Sequence, residues 1–166
     1  MPSDGAVVVS PGTGHVNMDP VGFWLYGRQF LDAANAVVPP QLGFSPVRYY
    51  LTCHSIELSL KGFLLRQGVS VSDLKLKLGH NLTRILERAN GLGLRKVVRV
   101  TPPQERELHL ANGYYNAKAF EYFSFRRLAQ RYADLPKPAL LERLATRLVD
   151  RLRGYCLSDP EDGSVT

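Results

Sequence analysis

Long apolar runs, cysteines and an acidic excess are all scarce in this chain. No hydrophobic stretch approaches the roughly 18 residues that a membrane-spanning helix requires, so no membrane anchor is expected. The opening MPSDGAVVVSPGTGHVNMDP has neither the basic start nor the extended apolar core of a secretory signal, and the expected compartment is the cytoplasm. Two cysteines, Cys53 and Cys156, are too few for a disulfide framework or a four-thiolate zinc site. They read as small buried thiols. A Walker loop, a GxGxxG fingerprint and a GxSxG elbow are also missing. The glycines of NGLGL, residues 90–94, sit in a segment too short and apolar to cradle a phosphate.

What is present suits one domain with a sizeable core: 166 residues, 45% of them hydrophobic. The net charge of +6 is unevenly spread. Residues 95–153 carry thirteen Lys/Arg against six Asp/Glu, whereas residues 154–166 carry three acids and no base. A basic C-terminal third is the footprint expected for a polyanion partner, and equally that of a solvated basic surface. Residues 1–18 and 157–166 show no period and read as a mobile tail and an acidic tail around a domain at 19–156.

Helix starts and stops are well marked. Asp19-Pro20 opens a first helix whose broad apolar face holds Phe23, Trp24, Phe30, Leu31, Ala34, Val37 and Val38, and Pro39-Pro40 ends it. Ser45-Pro46 opens a second, running to about Gln67 with Gly68 as its left-handed stop. SVSDLKLKLG reads as a short turn. A third begins near His80-Asn81, with Leu82, Ile85, Leu86 and Ala89 as its stripe. RKVVRV, residues 95–100, has an extended pattern, but one short segment makes no sheet. Thr101 and Gln104 form a capping-box pattern before the next helix, whose course blurs after Asn116. A last helix from about Pro138 to Tyr155 has Leu141, Leu144, Ala145, Leu148, Leu152 and Tyr155 on one face and Arg143, Arg147 and Arg151 on another, most simply a solvated one. The expected fold is all-α, an up-and-down bundle of four to six helices.

The second helix carries two polar strips. At about 100° per residue, Arg48, Thr52, Ser55, Ser59, Gly62 and Arg66 fall together, and His54, Glu57 and Lys61 fall nearly opposite. Two strips facing water would leave little core contact, so at least one turns inward. The larger apolar flanks point to His54–Glu57–Lys61. A buried charge needs a partner, and here the spacing provides it: Glu57 and Lys61 are i,i+4, and His54 and Glu57 are i,i+3. Such a network either fixes helix register or forms a working site.

The run RYYLTCHSIELSLKGFLLRQGVS, followed by KLGHNLTRIL, resembles the HEPN domain superfamily. The matching elements are Ser55, Glu57, Leu60, Lys61 and Leu64, then Gly68, then Gly79-His80-Asn81-Leu82. The resemblance implies a HEPN-like bundle of four or five helices, commonly a homodimer. It also implies association with RNA or nucleotides in toxin–antitoxin or defence settings, alongside a nucleotidyltransferase-like antitoxin. Active relatives cleave RNA without a metal, using an Arg and a His four to six residues apart near the start of the last core helix. That motif is missing here, because no histidine follows His109. The one literal match, Arg48 to His54, lies in the second helix with its side chains about 120° apart.

The candidate catalytic residues are therefore His54, Glu57, Lys61, His80 and Arg48, with His54 as the proton carrier. His80 is either aimed at a phosphate or at Glu57, or packs the start of its helix. The RNA-binding candidates are Arg126, Arg127, Lys118 and Tyr115, from a stretch where aromatics interleave with cations. Those aromatics equally suit a sealed bundle end. No metal or other cofactor is expected, since Glu57 is the one carboxylate placed for the core. The competing reading is a non-catalytic dimerisation or interaction protein with a structural His–Glu–Lys network.

Overall fold

The helix-starting residues read from the sequence act as caps in the structure, a computed structural model that describes residues 18–38, 45–118 and 135–158. Residues 1–17 and 159–166, assigned above to the tails, and residues 119–134 lie outside the described residues. The described chain is all-α, with no strand among those residues. In order, its helices are α1 (Pro20–Ala36), α2 (Pro46–Arg66), α3 (Val71–Asp73), α4 (Leu82–Gly91), α5 (Leu94–Val97), α6 (Pro102–Asn116) and α7 (Pro138–Leu157).

The starts of α1, α2, α4 and α6 each have a local cause. The Asp19 carboxylate accepts from the Gly22 N–H at 2.6 Å, Ser45 Oγ from Arg48 N–H at 3.2 Å, and Asn81 Oδ1 from Arg84 N–H at 3.1 Å. Asn112 of α6 adds a second acceptor at the head of α4, 2.7 Å from Leu82 N. Gln104 reaches back to the Thr101 N–H at 3.1 Å, the capping-box bond. Gly68 adopts φ +82° and stops α2, where Val69 N–H returns to Leu64 C=O at 3.0 Å.

Three expectations need adjustment. α1 ends at Ala36, so Val37 and Val38 leave its apolar face, and Val38 is exposed. A residue before proline is pushed toward extended backbone, which stops the helix early. Residues 95–100 are not an extended segment throughout. Leu94–Val97 make one helical turn after Gly93 (φ +91°), and Val98 and Val100 then enter the core. Arg147 is not simply solvated, because its Nη1 donates to Arg99 C=O at 2.7 Å and to Gln104 at 3.1 Å.

α2 lies at the centre, with Ile56, Leu60, Phe63 and Leu64 fully buried. α1 runs antiparallel to it and α7 parallel to it, the latter fixed by an Arg48–Glu142 ion pair at one end and Phe63–Tyr155 stacking at the other. α4 and α6 pack on the remaining side. The indole N–H of Trp24 on α1 donates to Val149 C=O on α7 at 2.8 Å, tying the two outer helices together.

Both polar strips of α2 turn inward. Thr52, Ser55, Ser59 and Gly62 are buried, and most of this strip is the seam with α1. The helices approach so closely that a Cβ on Gly62 would stand 3.1 Å from Pro20 C=O and 3.3 Å from Trp24 N. Gly62→Val should therefore cost about 1–3 kcal/mol through overpacking. Gly113→Ala on α6, where an added Cβ meets nothing within 4 Å, should instead gain about 0.5–1 kcal/mol. Urea unfolding of the two variants checks the pair of signs.

Candidate functional site

The cluster is assembled from α2, the turn before α4, and α6. Ser70 caps α3, which passes directly into a π-helical turn at Leu74–Leu78. Gly79 closes that turn at φ +54° and ψ −128°, a conformation that side chains other than hydrogen rarely adopt. The reversal drops His80 beside α2, while Asn81 takes over capping of α4.

Glu57 is the hub, with its side chain 1% exposed. Lys61 Nζ donates to Oε1 at 2.6 Å, the Tyr115 hydroxyl donates to Oε2 at 2.6 Å, and His80 Nδ1 lies 3.0 and 3.1 Å from the two oxygens. Burial alone would push the Glu57 carboxyl upward. The Lys61 ammonium, its hydrogen bond, the Tyr115 hydroxyl and His80 together outweigh that and hold it below the usual carboxylate range. Tyr115 moves the other way: burial and then the adjacent carboxylate push its hydroxyl strongly upward, so it remains a donor.

The protonation pattern follows from donor counting. An ionised carboxylate only accepts, so His80 Nδ1 carries a proton. The single Tyr115 hydroxyl proton goes to Glu57, so His54 Nδ1, 2.6 Å from that oxygen, donates to it. The chain His54–Tyr115–Glu57–His80 is thus directional, with every bond pointing toward the carboxylate. The His54 ring is enclosed, edge-on to Phe30 at 4.3 Å and stacked on Tyr50 at 5.5 Å. His80 is the accessible imidazole, 63% exposed. Among the described residues nothing bonds its Nε2.

Beside His80 opens a cleft of about 270 Å³. Phe23 and Leu74 form apolar walls, and Lys61, Lys75 and His80 supply the polar ones. No carboxylate lines it among the described residues.

Of the residues singled out in the sequence, His54, Glu57, Lys61 and His80 converge. Arg48 does not. It lies toward α7, with its Nε 2.8 Å from Glu142 Oε1. Tyr115 belongs to the network and the core, 4% exposed, rather than to an open stacking face. It is the member that sequence reasoning assigned differently, because its link to Glu57 spans 58 positions. Lys118 is exposed at the end of α6, and Arg126 and Arg127 lie outside the described residues. Among the described residues no group of three or more His, Cys, Asp and Glu is arranged to hold a metal ion. Cys53 and Cys156 are buried free thiols, pushed up by burial to about 12 and about 11 respectively, and so poor nucleophiles.

A carboxyl whose folded value is depressed adds stability above its ordinary value of 4.5 and loses it as pH falls through the folded value. Urea midpoints should therefore fall with acidification below that point, and Glu57→Gln should flatten this part of the profile. At neutral pH the same substitution leaves the Lys61 ammonium without its partner and should cost about 3–5 kcal/mol. Adding Lys61→Met should recover part of the loss, and an unchanged midpoint in the single variant would contradict the pairing. No protein-family model, no curated protein and no solved structure matches the chain.

Proposed function

We propose that this chain is a HEPN-like, RNA-associated helical module whose working group is His80, oriented by Glu57 and flanked by Lys61 and Lys75. One observation carries this reading: an exposed imidazole held through Nδ1 by a buried carboxylate, at the edge of a basic cleft. A neutral imidazole held this way offers its Nε2 lone pair outward, the arrangement of a general base.

The reaction that suits it is metal-independent RNA cleavage. His80 Nε2 takes the proton of a ribose 2′-OH as the 2′-oxygen bonds to phosphorus. The P–O5′ bond breaks, the leaving 5′-oxygen takes a proton from water, and the hydroxide so formed recovers the proton held on His80 Nε2. The products are a 2′,3′-cyclic phosphate and a 5′-hydroxyl. Lys75, exposed at the cleft, offsets charge on the phosphorane oxygens. His54 supports Tyr115, so the proton-carrying role passes from His54 to His80. The basic excess of residues 95–153, with exposed Lys118, agrees with a polyanion partner. The resemblance alone supports a homodimer, a nucleotidyltransferase-like antitoxin and a defence setting.

A second reading is favoured by the saturation of Glu57. Three donors from α2, α6 and the π-turn converge on one carboxylate, which suits a structural clamp in a non-catalytic interaction protein. Incubation with total RNA in the presence of a chelator separates the two readings. Under the first, the parent cleaves and His80→Gln, at an exposed position, stays folded and loses about 10²–10⁴ in rate. Absence of cleavage by a folded parent favours the clamp.

A further inference from the structure

We propose that the cleft beside His80 is a nucleobase pocket, in which the buried Lys61 ammonium donates to a ring carbonyl while Lys75 at the mouth holds the attached phosphate. This rests on the reading of His80 as a base acting on RNA, and names the part of the substrate that the cleft takes.

Lys61 supplies the first observation. Its side chain is 9% exposed, yet it lines the cleft. An ammonium has three hydrogens to donate, and the one bond that Lys61 makes among the described residues goes to Glu57 Oε1 at 2.6 Å. Two donors therefore remain on a buried nitrogen beside the cleft. Buried polar groups are normally satisfied, so these hydrogens mark the place of an acceptor.

The distribution of charge names the acceptor. Glu57 already balances the charge of Lys61, so the spare hydrogens suit a neutral oxygen rather than a second anion. Lys75 is exposed, and no carboxylate lines the cleft among the described residues, so its charge at the mouth is uncompensated and suits a phosphate. Between the two cations the walls are apolar, from Phe23, Val71 and Leu74. A planar body with a carbonyl pointing inward and a phosphate left outside matches this order, and a nucleotide has that form. The volume of about 270 Å³ lies just under the roughly 300–1,000 Å³ of most ligand sites, so it suits one base rather than a stacked pair. Uracil and guanine present a ring carbonyl. Adenine has none, and its amino hydrogens would face those of Lys61. A base enters such a pocket only when it is unpaired. With its 3′-phosphate at Lys75, the seated nucleotide is the one whose 2′-hydroxyl His80 addresses.

The test is a titration of the full chain with 3′-UMP, 3′-AMP and glycerol 2-phosphate, followed through backbone amide resonances. None of these probes carries a leaving 5′-oxygen, so binding is read apart from cleavage. 3′-UMP should shift the amides of residues 74–80 saturably, with 3′-AMP about tenfold weaker and glycerol 2-phosphate weaker still. Lys75→Gln, at an exposed position, should weaken 3′-UMP about tenfold. Glu57→Gln combined with Lys61→Met should remove the preference for 3′-UMP over 3′-AMP. Amides that do not move with 3′-UMP overturn the pocket, as does glycerol 2-phosphate bound equally tightly. Equal binding of 3′-UMP and 3′-AMP by the parent overturns the role of Lys61. RNA cleavage by the parent without saturable 3′-UMP binding sinks this inference alone. Saturable, uracil-preferring binding by a parent that leaves total RNA intact supports the pocket and sinks the general-base reading alone.

Discussion

A single carboxylate with almost no access to water governs the arrangement of this protein. Isolated in the core, Glu57 would be strongly unfavourable as an anion. Its neighbours convert that liability into a directional constraint. Lys61 lies one turn along the same helix, but Tyr115 comes from α6 and His80 from the reversal after the π-turn. Three separately positioned segments must arrive together for the charge to be tolerated. The network therefore selects one packing of α6 and one path for residues 74–80 against α2.

The opposite side of α2 obeys a different rule. Small residues there replace charge with proximity, so α1 approaches until backbone meets backbone near Gly62 and Gly27. Close approach brings Phe30 within reach of His54, which links the apolar seam to the polar cluster through one edge-on ring contact. α2 is thus buried around most of its circumference, although its sequence alternates between hydrophobic and polar strips.

Much of the fold was legible in the sequence because it depends on local chemistry. Asp19-Pro20, Ser45-Pro46, Asn81, Thr101 and Gly68 mark helix ends through bonds made within a few residues. Glu57–Lys61 was readable for the same reason, being one turn apart. What escaped depends on distance along the chain. Nothing near Tyr115 signals that its hydroxyl will meet a carboxylate on α2. Arg48 carries no mark of Glu142, 94 positions later. The β-branched pattern at 95–100 suggests extension, yet Leu94–Val97 form a helical turn that buries Leu94, and the chain extends only from Val98 on, where Val98 and Val100 enter the core. For the site, the residue types were visible and the division of labour was not. Which imidazole is enclosed and which faces solvent is decided by the Gly79 reversal and the aromatic packing around His54.

The lone tryptophan has a practical consequence. Trp24 is 5% exposed, with its indole hydrogen engaged by a carbonyl of the last helix. Its emission is an intrinsic optical gauge of whether the first and last helices remain docked. Water entering that contact shifts the spectrum to longer wavelength even where overall helicity is retained, so fluorescence and circular dichroism together distinguish loosening of the outer pair from loss of the fold.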